Sequence, residues 1–355
     1  MNQTFSAALN ATRFGAAMAV VLYHLWPELV PSRPLPWPGH EAVVVFFVIS
    51  GYVISYVTTG REGTFGAFAF SRMTRLYSVC VPAMLVGILS LLAVPQGGSD
   101  PSRFIEMSLP DAVIRSGVNL AFLGQNWRLD YLPPSNGPYW SLNYEAWYYV
   151  IFGAARFVPG PARWAVAGGL LLIAGPKIAV LLPCWLLGVA LHRCAGRIRL
   201  GPSAAGLLLV ACLAATAALF GMDASTAWRA AAGRVVPGWS GWLGASNKAL
   251  SDTALAVLFT GILLAVGKLD WLEAITGPIR TPLKWLADRT FSIYLYHMPL
   301  FVLLWDGIGL RGWALVAAET AGLLALAQVT EMQLQVLRAG LRPVWQAAQG
   351  KPRHP

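Results

Sequence analysis

The sequence predicts an all-α protein, a polytopic transmembrane helical bundle of about ten spans with both termini cytoplasmic. Three observations predict it. Apolar residues make up 56% of the 355 positions and charged residues 12%, against about 25% charged residues in soluble domains. Apolar stretches near the roughly 20 residues of a bilayer crossing recur along the chain, and such stretches satisfy their backbone polar groups inside helices. Lys and Arg gather in alternate connections, which sets the orientation.

The first span, 11–28, ends at Trp26-Pro27. It lacks a basic leader and carries Arg13 and His24, so it is expected to be retained rather than cleaved as a signal. The second, 41–58, contains Ser50-Gly51, small residues that allow close helix approach. The third, 77–94, follows the basic pair Arg72 and Arg75. The fourth, 139–157, holds Glu145. The fifth and sixth, 162–175 and 177–192, are short and separated by Gly175-Pro176-Lys177. Four more follow at 203–221, 250–267, 289–305 and 312–330. Segment 112–124 is too short to cross and is expected to lie at the interface or re-enter. Residues 1–335 read as one membrane domain, and 336–355 as a short basic cytoplasmic tail.

The net charge of +10 reads as positive-inside topology. It does not point to nucleic acid, because the basic residues are not clustered on a polar domain. The four cysteines form no Cys-x-x-Cys pair and read as small buried hydrophobes, so no metal site is expected. The loops 95–138 and 222–249 fall outside on this orientation. Their tryptophans (Trp127, Trp228, Trp239 and Trp242) read as interface anchors, with stacking on sugar rings as the alternative.

Arg13 and His24 are the most informative pair. Their spacing is close to three helical turns, roughly 16 Å along one face. Two such side chains on a membrane helix are costly unless they line a polar interior, so both are expected to look into one wet cavity crossing the bundle. An imidazole near neutrality can take a proton from a hydroxyl, which makes His24 a candidate general base; a buried histidine bonded to a neighbouring helix is the plain alternative. Arg72 and Arg75 share a helix face and can grip phosphates; ordinary basic anchoring explains the same spacing. Glu145 is the acidic residue of the fourth span, on a face with Ser141 and Tyr148. It is expected to orient His24 or to pair with an arginine such as Arg13. Glu319 is a weaker candidate of the same kind. His297 is placed either lining the cavity or packing, whereas His40 and His192 read as structural. Ser50 is not expected to be a nucleophile, since no Gly-x-Ser-x-Gly elbow surrounds it.

Taken in order, these segments resemble the acyltransferase-3 family of bacterial membrane O-acyltransferases. Arg13 and His24 are similar to its Arg, ten residues, His pattern; Phe46 to Tyr52 to its Phe-Phe-x-x-Ser-Gly-Tyr stretch; Arg72 and Arg75 to its Arg-x-x-Arg. Ser141 to Tyr148 resembles its Ser-Leu-x-x-Glu-x-x-Tyr segment, with Ala146-Trp147 departing from it, and Ser292 to Pro299 its late Ser-x-Tyr-Leu-x-His-x-Pro motif. The resemblance implies an acyl-CoA donor, acetyl-CoA by family frequency, and a carbohydrate or glycolipid acceptor in the bacterial inner membrane. It implies no permanently bound cofactor. Some members carry an extra C-terminal esterase-like domain; the chain reaches Pro355 without one, so if such a partner is needed it is expected as a separate protein, as are any glycan-assembly proteins it works with.

The expected chemistry follows. Arg72 and Arg75 hold the donor phosphates, the pantetheine arm passes Arg13, and His24 deprotonates the acceptor hydroxyl with Glu145 steadying the ring. Ser141, Tyr148 and His297 line the substrate cavity. The rival reading is a multi-span transporter of a small polar or glycolipid substrate, which would also carry intramembrane Arg, His and Glu and broken helices near a midplane site.

Overall fold

The computed structural model describes residues 3–30, 32, 38–94, 107–235 and 238–348. Its helices are α1 (Gln3–Leu29), α2 (Gly39–Thr58), α3 (Phe65–Ala93), α4 (Leu109–Leu120), α5 (Trp140–Phe157), α6 (Ala162–Ala174), α7 (Pro176–Cys194), α8 (Pro202–Gly221), α9 (Ala224–Val235), α10 (Trp239–Leu243), α11 (Ala249–Val266), α12 (Glu273–Ala287), α13 (Thr290–Val302), α14 (Gly312–Val329) and α15 (Leu334–Ala348). The described residues contain no strand. Seven helices (α1, α2, α3, α7, α8, α11 and α14) are long and apolar enough to cross a membrane. Each of the ten expected spans coincides with a helix. Of the remaining three, α6 and α13 are short, and α5 carries several polar residues.

Two differences from the expected elements have local causes. The third helix begins at Phe65, not near 77, because Thr64 caps it by accepting from Ala67 N–H. Its first three turns therefore carry Arg72 and Arg75 on a helix rather than in a loop. The ninth span is two pieces: α13 ends at Val302 and continues as a π-turn over Leu303–Gly307. The expected interfacial segment is α4, with Ser108 as its N-cap. Parts of the expected outer loop 95–138, including Arg103, and the end of the tail lie outside the described residues. The described part of the tail is the helix α15.

Contacts between connections define two ends of the bundle. At one end Thr4 donates to Glu273, Ser55 pairs with His192 Nδ1, and Lys268 donates to the Ala195 carbonyl. At the other, Trp127 N–H bonds the Ala174 carbonyl, Lys177 Nζ donates to the Leu129 carbonyl, and Lys248 pairs with Glu41. Helix α2 is the centre of the packing: 67% of its span is buried, against 11% for α8 at the periphery. Gly51 and Gly188 let α2 and α7 cross closely. A Cβ at Gly51 would overlap the Trp185 carbonyl oxygen, and one at Gly188 the Val48 carbonyl oxygen. This fits the close approach expected of Ser50-Gly51. Cys80, Cys184 and Cys212 are buried and Cys194 is exposed, all as free thiols, so the fourth is not the buried hydrophobe expected.

Helix α13 shows how sequence positions a candidate side chain. Pro299 has no N–H to give the carbonyl of Leu295 four residues earlier. Asn136 Nδ2 fills that vacancy at 3.0 Å. The helix stays continuous, and His297, between the two, is fixed against the turn leading into α5.

Candidate active site

A cavity of about 100 Å³ lies among α1, α2, α3, α5 and α13. Its polar lining is Arg13, Ser50, Arg72, Arg75, Ser141, Glu145, Tyr149, Thr290 and Tyr294. It has room for several waters and is smaller than the roughly 300–1,000 Å³ of ligand pockets. Helices α1 and α3 thus bring together all three arginines singled out from the sequence.

The arginines differ in how they are held. Arg72 Nη2 donates to Glu62 Oε1 at 2.7 Å, and both side chains are 10% exposed. Arg13 makes one hydrogen bond among the described residues, to Thr290 Oγ1 at 3.2 Å. Arg75 makes none there; its guanidinium lies 5.8 Å from the Phe291 ring centroid. A guanidinium carries five N–H donors and no acceptor. Arg13 and Arg75 therefore turn several unused donors toward the cavity. The acidic groups around Arg13 are Glu145, Asp288 and Glu331.

Glu145 does not orient His24. Its Oε1 accepts from Ser50 Oγ at 2.5 Å and from Tyr149 Oη at 2.5 Å, and Trp185 Nε1 donates to Ser50 at 3.1 Å. The reason is axial: Glu145 faces α2 and its own next turn at the Arg13 end, whereas His24 sits three turns further along α1. Nor does Glu145 pair with Arg13 within salt-bridge distance. Ser141 lines the cavity and its hydroxyl meets Tyr294 Oη at 2.7 Å. Tyr148 turns away: it is fully buried and donates to the Ile178 carbonyl at 3.0 Å. Tyr149, the i+4 neighbour of Glu145, takes the cavity position instead.

His24 and Arg13 do not share this cavity, since the lining stops at Phe46, Phe47 and Tyr294 and does not reach His24. The imidazole lies one layer beyond. Its ring centroid is 5.1 Å from that of His297, whose ring is 6.2 Å from Tyr294. His297 accordingly packs against His24 rather than lining the cavity. The partners fix both tautomers when the rings are neutral. His297 Nδ1–H donates to the Tyr294 carbonyl at 2.7 Å, leaving its Nε2 as an acceptor. His24 Nδ1–H is then shared between the Val20 carbonyl at 2.9 Å and His297 Nε2 at 3.2 Å. That leaves His24 Nε2 with a bare lone pair and no hydrogen bond among the described residues. The ring is thus held by His297 and the Val20 carbonyl, and not by Glu145.

Sequence reasoning missed Ser50 and Tyr149 as cavity groups, and it missed Arg338. Arg338, on α15, donates to Thr74 Oγ1 and to the Ser71 carbonyl, adding a fourth guanidinium beside the α3 pair. Its position in an Arg-containing amphipathic helix was the available signal. Glu319 is buried with both carboxylate oxygens unpartnered and lies off the cavity. No group of three or more His, Cys, Asp or Glu among the described residues is arranged to hold a metal ion.

A profile described as an acyltransferase domain matches residues 6–331. The chain belongs to the acyltransferase-3 family. The match runs from α1 past α14, so it includes every cavity residue, while Arg338 falls beyond it. The chain is also similar to the exopolysaccharide production protein ExoZ of Rhizobium meliloti (strain 1021), 26% identical over 331 residues, covering 85% of this chain and 90% of that protein. No solved structure matches it. As a member of the acyltransferase-3 family with seven helices able to cross a bilayer, the protein is a multi-pass membrane acyltransferase.

Proposed function

We propose that this protein moves an acyl group, acetyl in the first instance, from acyl-CoA to a hydroxyl of a cell-surface polysaccharide or its lipid-linked precursor in the bacterial inner membrane. The observation that carries this reading is the pair of under-used guanidiniums, Arg13 and Arg75, facing one cavity inside an apolar bundle. Such groups call for an anionic ligand. Acyl-CoA supplies phosphates, and the acyltransferase-3 membership supports a transfer reaction. The exopolysaccharide role named for the Rhizobium relative supports the acceptor class.

The donor's phosphates rest near Arg72, Arg75 and Arg338 on the cytoplasmic side, and the thioester arm enters past Arg13. Tyr294 moves aside to let the thioester carbonyl approach His24. The acceptor hydroxyl loses its proton to His24 Nε2 as its oxygen attacks that carbon. The C–S bond breaks, the sulfur takes the proton from the imidazolium, and the products are an ester and free CoA thiol. His297 keeps the basic nitrogen of His24 directed toward the reaction.

The transporter alternative loses its one structural hint. The Gly175-Pro176 break is a turn packed on the loop through Trp127 at the end of the bundle, where Gly175 takes φ +92° and a Cβ would crowd the Trp127 backbone. Membrane vesicles supplied with labelled acetyl-CoA and the polysaccharide test the proposal. Acetyl ester and free thiol should form in equal amounts; uptake of substrate with no thiol release contradicts it.

A further inference from the structure

A second polar cavity, of about 480 Å³, opens where α1 ends and α2, α9 and α11 begin. Its size lies within the range of ligand pockets, unlike the arginine cavity. Nothing in the reaction described above uses it. Tyr23, His40, Glu41, Asp223, Lys248 and Asp252 line it.

The side chains are placed as recognition groups are. His40 Nε2–H donates to both oxygens of Asp252, at 3.1 and 3.0 Å, and the His40 ring stacks on Trp140 at 5.8 Å and 15°. Lys248 Nζ donates to Glu41 Oε1 at 3.0 Å. A carboxylate can accept about four hydrogen bonds and an ammonium can donate three, so Glu41 and Lys248, 20% and 24% exposed at the side chain, keep capacity after these contacts, whereas Asp252 is buried with both oxygens held by His40. Tyr23 adds an aromatic face, 50% exposed, over Gly39, where a Cβ would strike its ring.

Charge narrows the ligand. Three carboxylates face one lysine and one histidine, so a phosphate is disfavoured here while the arginine cavity favours one. Spare acceptors and donors beside an aromatic ring suit a neutral polyhydroxyl compound. The cavity comes within one ring of the His24 imidazole: Tyr23, in its lining, meets the His24 ring edge-on at 5.0 Å. His24 thus stands between the two cavities, one ring from this one and, through His297 and Tyr294, two rings from the other.

We infer that this cavity binds the acceptor sugar, with Glu41 accepting from its hydroxyls, Lys248 donating, and Tyr23 lying against a sugar face. The inference rests on the transferase reading above. His40, which reads as structural in the sequence, stays so here: it joins buried Asp252 to Trp140 in the cavity wall.

The test uses the full chain in nanodiscs, with acetyl-CoA as donor. The acceptor probe is oligosaccharide made by mild acid hydrolysis of base-deacylated surface polysaccharide from the producing cells. Released thiol is followed for the wild type, Tyr23→Ala and the isosteric Glu41→Gln. Each variant should raise the acceptor KM by roughly tenfold, the scale of one hydrogen bond to a charged group or one ring contact, and should leave the donor KM within about twofold. A retained donor KM also shows that the variants are folded. An acceptor KM unchanged in both variants, with an active wild type, overturns the cavity assignment and leaves the transferase reading standing. A wild type that releases no thiol with this acceptor overturns both.

Discussion

At the scale of single residues, the account rests on which nitrogen of His24 is basic. The shared Nδ1–H between Val20 and His297 leaves Nε2 free. Replacing His297 with Ala removes one of the two partners holding that ring. The expected result is a kcat lower by about tenfold, the worth of one hydrogen bond, with both KM values unchanged in steady-state thiol assays; a changed KM with constant kcat would mean that His297 touches substrate instead. Glu145 makes a different prediction. Ser50 and Tyr149 both donate to it, so Glu145→Ala removes the shared acceptor of two cavity hydroxyls that keep each other at 3.3 Å, and should destabilise the fold by only about 1 kcal/mol. The exposure of buried Cys80 and Cys184 to a thiol dye during heating measures this. Arg13, His24 and Glu145 were legible in the sequence because an ionisable group in an apolar helix demands an explanation. Their partners were not. Ser50 looks like a small packing residue until Glu145 arrives from another helix, and the spacing that joins Arg13 to His24 cannot show that Tyr294 and Phe46 come between them.

At the scale of elements, hydropathy located the ten apolar helices and the short α4, and was silent on the helices with broad polar faces. The ten apolar segments are all helical, whereas α9, α12 and α15 went unforeseen because their polar faces mask the apolar one. The early start of α3 was signalled only by Thr64, a capping residue whose role depends on a hydrogen bond the sequence does not display. Two helix contacts give tests. The Asn136 amide satisfies the carbonyl freed by Pro299, so Asn136→Ala should cost about 1–3 kcal/mol. That cost should shrink in a Pro299→Ala background, where an N–H is restored to the ladder. Thermal melts of the four proteins in this cycle measure the coupling, and strict additivity contradicts the assigned vacancy. Gly51→Ala and Gly188→Ala place a methyl into opposing backbone oxygens and should each abolish a monodisperse fraction in size-exclusion chromatography, since neither obstacle is a side chain that can rotate away.

At the scale of the whole molecule, the two cavities differ in charge. Arg13, Arg72 and Arg75 line one, with Arg338 near it and Glu145 as its acidic group; Glu41, Asp223 and Asp252 line the other, with Lys248 and His40, and His24 lies between them. On the proposed reading, this keeps a phosphate-bearing donor and a neutral acceptor apart until they meet at the imidazole. Arg75 makes no hydrogen bond within the described protein, so Arg75→Ala should leave stability nearly unchanged. It should raise the acyl-CoA KM by about 10–100-fold with the acceptor KM constant, and the donor KM should also rise with ionic strength. An unaltered donor KM removes Arg75 from the binding site. The central claim is that His24 takes the acceptor's proton. The most direct measurement is the single-turnover rate of acetyl transfer by His24→Gln beside its acetyl-CoA dissociation constant. The account predicts a rate lower by roughly 10²–10⁴-fold with donor binding intact; transfer at the wild-type rate contradicts it.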